Sequence, residues 1–141
     1  MTQAMSYKKA RKVCLTSVTY DRLSSLLEFN GDHQMAGLLT NKLANARKCG
    51  GEEISPDTAI INRRVHYRPD IGKDVESRIL VFPQDYFPTG LYLSVMSPLG
   101  LALLGLREGE KASYEQWDGT VHVLFVEDVE YQPERSRFPA T

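Results

Sequence analysis

The sequence predicts an α+β fold: a short N-terminal antiparallel helical hairpin, then a bent antiparallel β-sheet carrying one short helix. Three observations predict it. Tyr20, Leu23, Leu26 and Leu27, and then Met35, Leu38, Leu39, Leu43 and Ala46, recur at steps of three and four, the spacing of an amphipathic helix. Beyond residue 58 the chain changes to runs of strand composition separated by turn-rich segments. One uncharged stretch, VMSPLGLALLGL at 95–106, interrupts those runs with five leucines. It is too short to cross a bilayer, which needs about 20 apolar residues.

A chain of 141 residues suits one domain, or one domain with a small appendage. With 42% hydrophobic and 25% charged residues it can build an ordinary globular core. The start, MTQAMSYKKARKV, is basic without an apolar block behind it, so no secretory signal is expected and the location is taken as cytoplasmic. Cys14 and Cys49 lack a metal-binding spacing and are too few for a disulfide framework, so they are expected to be two ordinary thiols. The net charge of −1 hides an asymmetry: residues 1–70 carry 11 Lys and Arg against 7 Asp and Glu, whereas residues 71–141 carry 6 against 11. Such a molecule is oriented by a charged partner rather than simply attracted to it.

Taken in order, residues 1–11 read as a disordered, basic start, and KVCLTSV (12–18) has strand composition. The helical hairpin covers roughly 19–49. Thr19 is its expected N-cap, Asp21 suits the first turn, and Asn30-Gly31-Asp32 is the turn. Arg47 and Lys48 favour the C-terminal dipole of the second helix, and Gly50 offers a left-handed cap. Arms of about 10–15 residues would be roughly 15–20 Å long. The expected division is therefore 1–50 for the basic start and arm, 51–58 for a linker, and 59–141 for the β domain. In that domain AIINRRVHY (59–67), VESRILVF (75–82) and LYLSV (91–95) are strand candidates, with PQDYFPTG a loop held by two prolines. KASYEQW and TVHVLFVEDVEYQ flank Asp118-Gly119, a hairpin signal in which both turn residues accept positive φ. Within the leucine-rich stretch Ser97 is an N-cap, Pro98 fits the first helical position and Gly105 can end the helix, so residues 98–104 form a short helix. Apolar character nearly all round implies burial on most sides. Ser97, Pro98 and Leu99 are expected at the exposed entrance, where Gly100 lets another backbone approach.

The stretch VMSPLGLALLGLREGEKASYE resembles the C-terminal signature of the Gre-type bacterial transcription elongation factors. The matching positions are Ser97, Pro98, Leu99, Gly100, Ala102, Leu103, Leu104, Gly105 and Gly109. The resemblance spans about 59–133. It is nearest to a short-armed branch, the Rnk-type regulators of nucleoside diphosphate kinase, in NRRVHYR, LVFP, LSVMSPLGLALLGLREGE and VEYQPE. Asn62-Arg63 and Glu110 depart from the usual Gre residues, and the arm is far shorter. The resemblance implies an FKBP-like C-terminal domain that docks on bacterial RNA polymerase at the secondary-channel rim, a contact that carries over to Met96, Ser97, Pro98, Leu99 and Gly100. In the long-armed members, tip carboxylates help to hold Mg²⁺ for transcript cleavage, which is sensible chemistry for a hard cation. Here Glu28 and Asp32 are the candidate acidic residues at the arm tip.

Reach argues against cleavage, so the expected function is docking without efficient cleavage: a regulator with no catalytic residues, no cofactor, no metal site and no membrane association. Lys42, Arg47, Lys48, Arg63 and Arg64 are the basic candidates. Arg63 and Arg64 are neighbours on one strand and point to opposite faces, so nucleic-acid contact is expected to be indirect or weak. His33, His66 and His122 lack metal spacing. Trp117 reads as a hairpin residue, and Tyr86 and Phe87 as either a loop contact or flap packing. Two alternatives stand beside this reading. One is a regulator acting through nucleoside diphosphate kinase itself. The other is an FKBP-like prolyl isomerase, which would need an open pocket lined by aromatics such as Tyr86, Phe87, Tyr92 and Trp117.

Overall fold

The computed structural model describes residues 12–29 and 33–130. The basic start at 1–11, the Asn30-Gly31-Asp32 turn and the end of VEYQPE lie outside them. The chain runs β1 (Val13–Thr16), α1 (Ser17–Phe29), α2 (His33–Ala44), β2 (Ala46–Cys49), β3 (Arg64–Arg68), β4 (Glu76–Val81), β5 (Tyr92–Ser94), α3 (Pro98–Leu103), β6 (Lys111–Glu115) and β7 (Val121–Glu130). This is an α+β fold. Among the described residues no helix is long and apolar enough to cross a membrane.

The two long helices form, but the root of the pair differs from expectation. α1 starts three residues early because Thr16, not Thr19, caps it: the Thr19 amide donates to Thr16 Oγ1 at 3.2 Å. Asp21 therefore lies beyond the first turn and instead pairs with Lys48 Nζ at 2.9 Å. α2 ends at Ala44, five residues short of the expected boundary. Asn45 stops it, donating its backbone amide to Asn41 O at 3.2 Å and its side-chain amide to the same carbonyl at 2.9 Å. The Asn45 carbonyl then accepts from Val13 N at 3.2 Å and opens a parallel pairing of β2 with β1. Arg47 and Lys48 are thus strand residues and not helix-terminal cations, and Gly50 is extended at φ −71° rather than left-handed. Cys14 and Cys49, expected as free thiols, are joined in a disulfide across this pair of strands, with Cα atoms 5.6 Å apart.

The five-stranded sheet has the order β5-β4-β3-β7-β6. The expectation of a purely antiparallel sheet fails at one edge, where β4 and β5 are parallel, Ile79 opposite Tyr92. The proline-bearing loop at 82–91 carries the chain back before it re-enters the sheet. Between β3 and β7 the register shifts at His66/Tyr67, with Tyr67 opposite Val126 and His66 opposite Asp128. Glu127 is the extra residue of this bulge. It moves the buried positions of β7 from Leu124 and Val126 to Val129 and bends the sheet. The β6–β7 turn is present, but only Gly119 takes positive φ, at 89°. Gln116 N donates to Thr120 O and Gly119 N to Gln116 O, both at 2.9 Å, which is a three-residue loop closed by a left-handed glycine rather than a two-residue turn. Leu15, Leu23, Met35 and Leu39 from the strand–helix–helix segment share one core with Val65, Tyr67, Leu80, Leu103, Leu104 and Leu124. Arg22 lies over the Phe82 ring at 3.9 Å, a further tie between α1 and the end of β4.

Candidate interaction site

The leucine-rich segment folds as its residues dictate. Ser97 is extended at φ −138° and its Oγ accepts from Gly100 N at 3.1 Å, while its hydroxyl donates to Ser94 O at 2.7 Å. One side chain therefore caps α3 and staples it to β5. Pro98 occupies the first turn, where no amide hydrogen is required. Gly105 ends the helix at φ 90°, and its amide donates to Ala59 O at 2.8 Å. Leu101, Leu103 and Leu104 are buried.

The expected entrance is only partly open. Pro98 and Gly100 are buried, whereas Met96, Ser97 and Leu99 keep partial exposure. Gly100 does permit a close backbone approach, but from within the chain: a Cβ there would collide with the Ser94 carbonyl. The outer side of α3 instead faces a groove of about 780 Å³, where Pro98, Leu101 and Ala102 meet Leu38 and Lys42 of α2 and Tyr114 of β6. Burial, then Asp70 and Glu76, push the Tyr114 phenol upward, and its hydroxyl donates to Pro69 O at 2.8 Å. No sequence signal marked this groove, because α2, which forms one wall, lies far from α3 and β6 in the chain.

The remaining candidates separate. Glu28 is exposed near the end of α1, and Asp32 and the His33 side chain lie outside the described residues. Lys48 pairs with Asp21 and lies 5.2 Å from the Tyr20 ring centroid. Arg63 precedes β3 rather than lying in it, and donates to Pro56 O at 3.1 Å and Thr58 O at 3.2 Å. Arg64 donates to Ser77 Oγ at 3.1 Å. These two arginines brace the fold and do not form a common patch. His66 pairs with Glu130 at 2.7 Å, and His122 with Asp70 at 2.6 Å. Trp117 is exposed at the hairpin turn, and Phe87, also exposed, packs its ring 6.3 Å from Tyr92. None of Tyr86, Phe87, Tyr92 and Trp117 lines the groove, whose one aromatic is Tyr114. That is not the aromatic pocket an isomerase would need.

Comparison with known proteins agrees with the corner's signature. The family model "Transcription elongation factor, GreA/GreB, C-term" matches residues 54–131. The "Regulator of nucleoside diphosphate kinase" of Escherichia coli strain K12 is 39% identical over 100 residues, covering 71% of this chain and 74% of that protein, and the Shigella flexneri protein of the same description matches equally. A solved structure, "Prokaryotic transcription elongation factor GreA/GreB from Nitrosomonas europaea", superposes with a TM-score of 0.67 at 30% identity, covering 85% of this chain and 98% of that one. The match takes in β3 to β7 and the Ser97-capped helix between them, and on it the chain belongs to the GreA/GreB C-terminal family of transcription elongation factors.

Proposed function

We propose that this chain is a Gre-like regulator that binds RNA polymerase at the rim of the secondary channel through the Met96–Gly100 corner, without efficient transcript cleavage. The observation that carries the reading is the corner itself. It lies inside the family match, is held rigid by Ser97, and leaves Met96, Ser97 and Leu99 partly open to a partner. Met and Leu can repack against a partner helix.

The arm supports the second half of the reading. α1 and α2 have 13 and 12 residues, hence about 18–20 Å each. Leu23, Met35 and Leu39 sink one face of this pair into the body's core. A carboxylate at Glu28 then stays close to the body, and a channel entered by a longer arm is blocked rather than served. The protein acts as a non-catalytic competitor of longer-armed channel binders.

A competition assay on a stalled polymerase complex tests this, with a long-armed Gre factor present and this protein titrated in. The expected result is displacement without cleavage. Cleavage by this protein alone refutes the reach argument, and no displacement refutes the docking. Leu99→Asp should weaken polymerase binding by about tenfold, as expected for a charge forced into an apolar contact. Its melting curve controls for the packing Leu99 also makes with the core. A second reading, action through nucleoside diphosphate kinase, is favoured by the 39% identity to proteins described as its regulators. Retention of the purified kinase on the immobilised chain, with polymerase failing to compete, would select it.

A further inference from the structure

We propose that the outer edge of β6 is a self-association site, where a second copy of this chain adds its own β6 in antiparallel fashion and one sheet runs through both copies. The inference does not depend on the polymerase reading.

β6 is the last strand of its sheet, with β7 on one side and, among the described residues, no strand on the other. The ladder with β7 fixes which backbone groups are engaged. Val126 N donates to Glu110 O at 3.0 Å, and Gln116 N donates to Thr120 O at 2.9 Å. Backbone groups change sides at each residue of a strand. The even residues Ala112 and Tyr114 therefore face β7, and Lys111, Ser113 and Glu115 turn their N–H and C=O groups outward. Among the described residues nothing answers these outward groups. Such an edge is an open template for another strand, and β6 has neither a proline nor a bulge to close it.

The groove beside α3 reaches this edge. All five residues of β6 line it. Side chains alternate faces along a strand, so a cavity bordered by five in succession runs along the strand's rim and not over one face. Leu38, Leu101 and Ala102 give the space apolar walls.

The charges select the occupant. Lys111, Ser113 and Glu115 are exposed and share one face of β6. An antiparallel copy centred on Ser113 sets Lys111 opposite the partner's Glu115, Ser113 opposite the partner's Ser113, and Glu115 opposite the partner's Lys111. Each pair exchanges two backbone hydrogen bonds, and opposite charges meet at both ends. Centring the pairing on Lys111 or on Glu115 would oppose like charges, so one register is favoured. Glu115 makes no ion pair among the described residues, and Lys111 lies 5.7 Å from the Phe125 ring centroid on the same face. A second copy supplies this two-fold pattern by symmetry, which an unrelated peptide does not.

Sedimentation velocity of the full chain from about 1 to 100 μM tests this, across the range of weak protein–protein affinities. A monomer–dimer equilibrium is expected. Glu115→Lys and Lys111→Glu should each weaken dimerisation by about tenfold, because each turns two attractive pairs into repulsive ones. An equal mixture of the two variants should recover it, since every opposing pair is again of opposite charge. Both side chains are exposed, so each variant should melt as the wild type does. Amide exchange on the wild type is a second readout that needs no variant. The Lys111, Ser113 and Glu115 amides should slow as concentration rises, while those of Ala112 and Tyr114 stay slow throughout. A wild type that is monomeric at every concentration, a dimer unaffected by either charge change, or a mixture that stays monomeric overturns the proposal. Slow exchange at Ser113 in the monomer assigns the edge to another segment of this chain and likewise overturns it.

Discussion

The α3 corner and the root of the helical pair are built in opposite ways. At the corner, cap, first-turn proline, apolar body and terminating glycine follow one another within nine residues, from Ser97 to Gly105. At the root, β1 and β2 pair across more than 30 residues of intervening chain, through a parallel ladder and a disulfide. Order at the corner is local, and each residue declares its own part. Order at the root is non-local, and the same residues mean something else read singly: Arg47 and Lys48 suit a helix end as well as they suit a strand.

Four substitutions or treatments break or sharpen this contrast. The largest effect should come from Leu103→Ala. Leu103 is fully buried, and the cavity left behind should cost about 2–5 kcal/mol in urea unfolding. An unchanged midpoint would mean that the corner does not anchor the core. Removing the disulfide by Cys49→Ser should cost about 2–4 kcal/mol, because the cross-link closes a loop across a sequence separation of 35. The wild type under a strong dithiol reductant should fall to the same midpoint, and equal stability in all three states would show that strand pairing alone sets the root. Ser97→Ala removes the cap and the staple to Ser94, with an expected loss of about 0.5–2 kcal/mol by the same measurement.

The smallest effect concerns pH. The His122 ring, and then the Ile71 amide, hold the Asp70 carboxyl below the usual carboxylate range. A depressed folded value means that this contribution is complete above about pH 4, the unfolded carboxylate range, and is lost as pH falls through the folded value. Urea midpoints taken downward from about pH 6 should therefore fall more steeply for the wild type than for Asp70→Asn, where the group no longer titrates. Parallel profiles would remove Asp70 from the acid response.

What could be read from the sequence follows the same division. Ser97, Pro98 and Gly105 announced α3 and its caps, and the family signature rests on them. The two amphipathic helices were legible from their periodicity, and the strands β3, β4, β6 and β7 from their composition. Asp118-Gly119 marked a turn, but its type depends on how many residues the strands leave unpaired, which a dipeptide does not encode. Asn45 stops α2 in the structure, whereas Arg47, Lys48 and Gly50 read from the sequence as the end of the helix. The groove beside α3 arises between distant segments, so no window of sequence displays it, and the parallel β4–β5 edge depends on the path of the 82–91 loop, which composition does not encode. Gly100 had the right property and the wrong partner: it admits a backbone, and that backbone is the chain's own Ser94.

The Cys14–Cys49 link also changes the connectivity of the molecule. Everything between those two residues, both long helices included, belongs to a covalent ring with the rest of the protein as its tail. One proteolytic cut anywhere in that ring opens it without separating a fragment, so the nicked chain keeps its full mass until it is reduced. The arm can thus be severed in its backbone and still remain attached to the body at both ends.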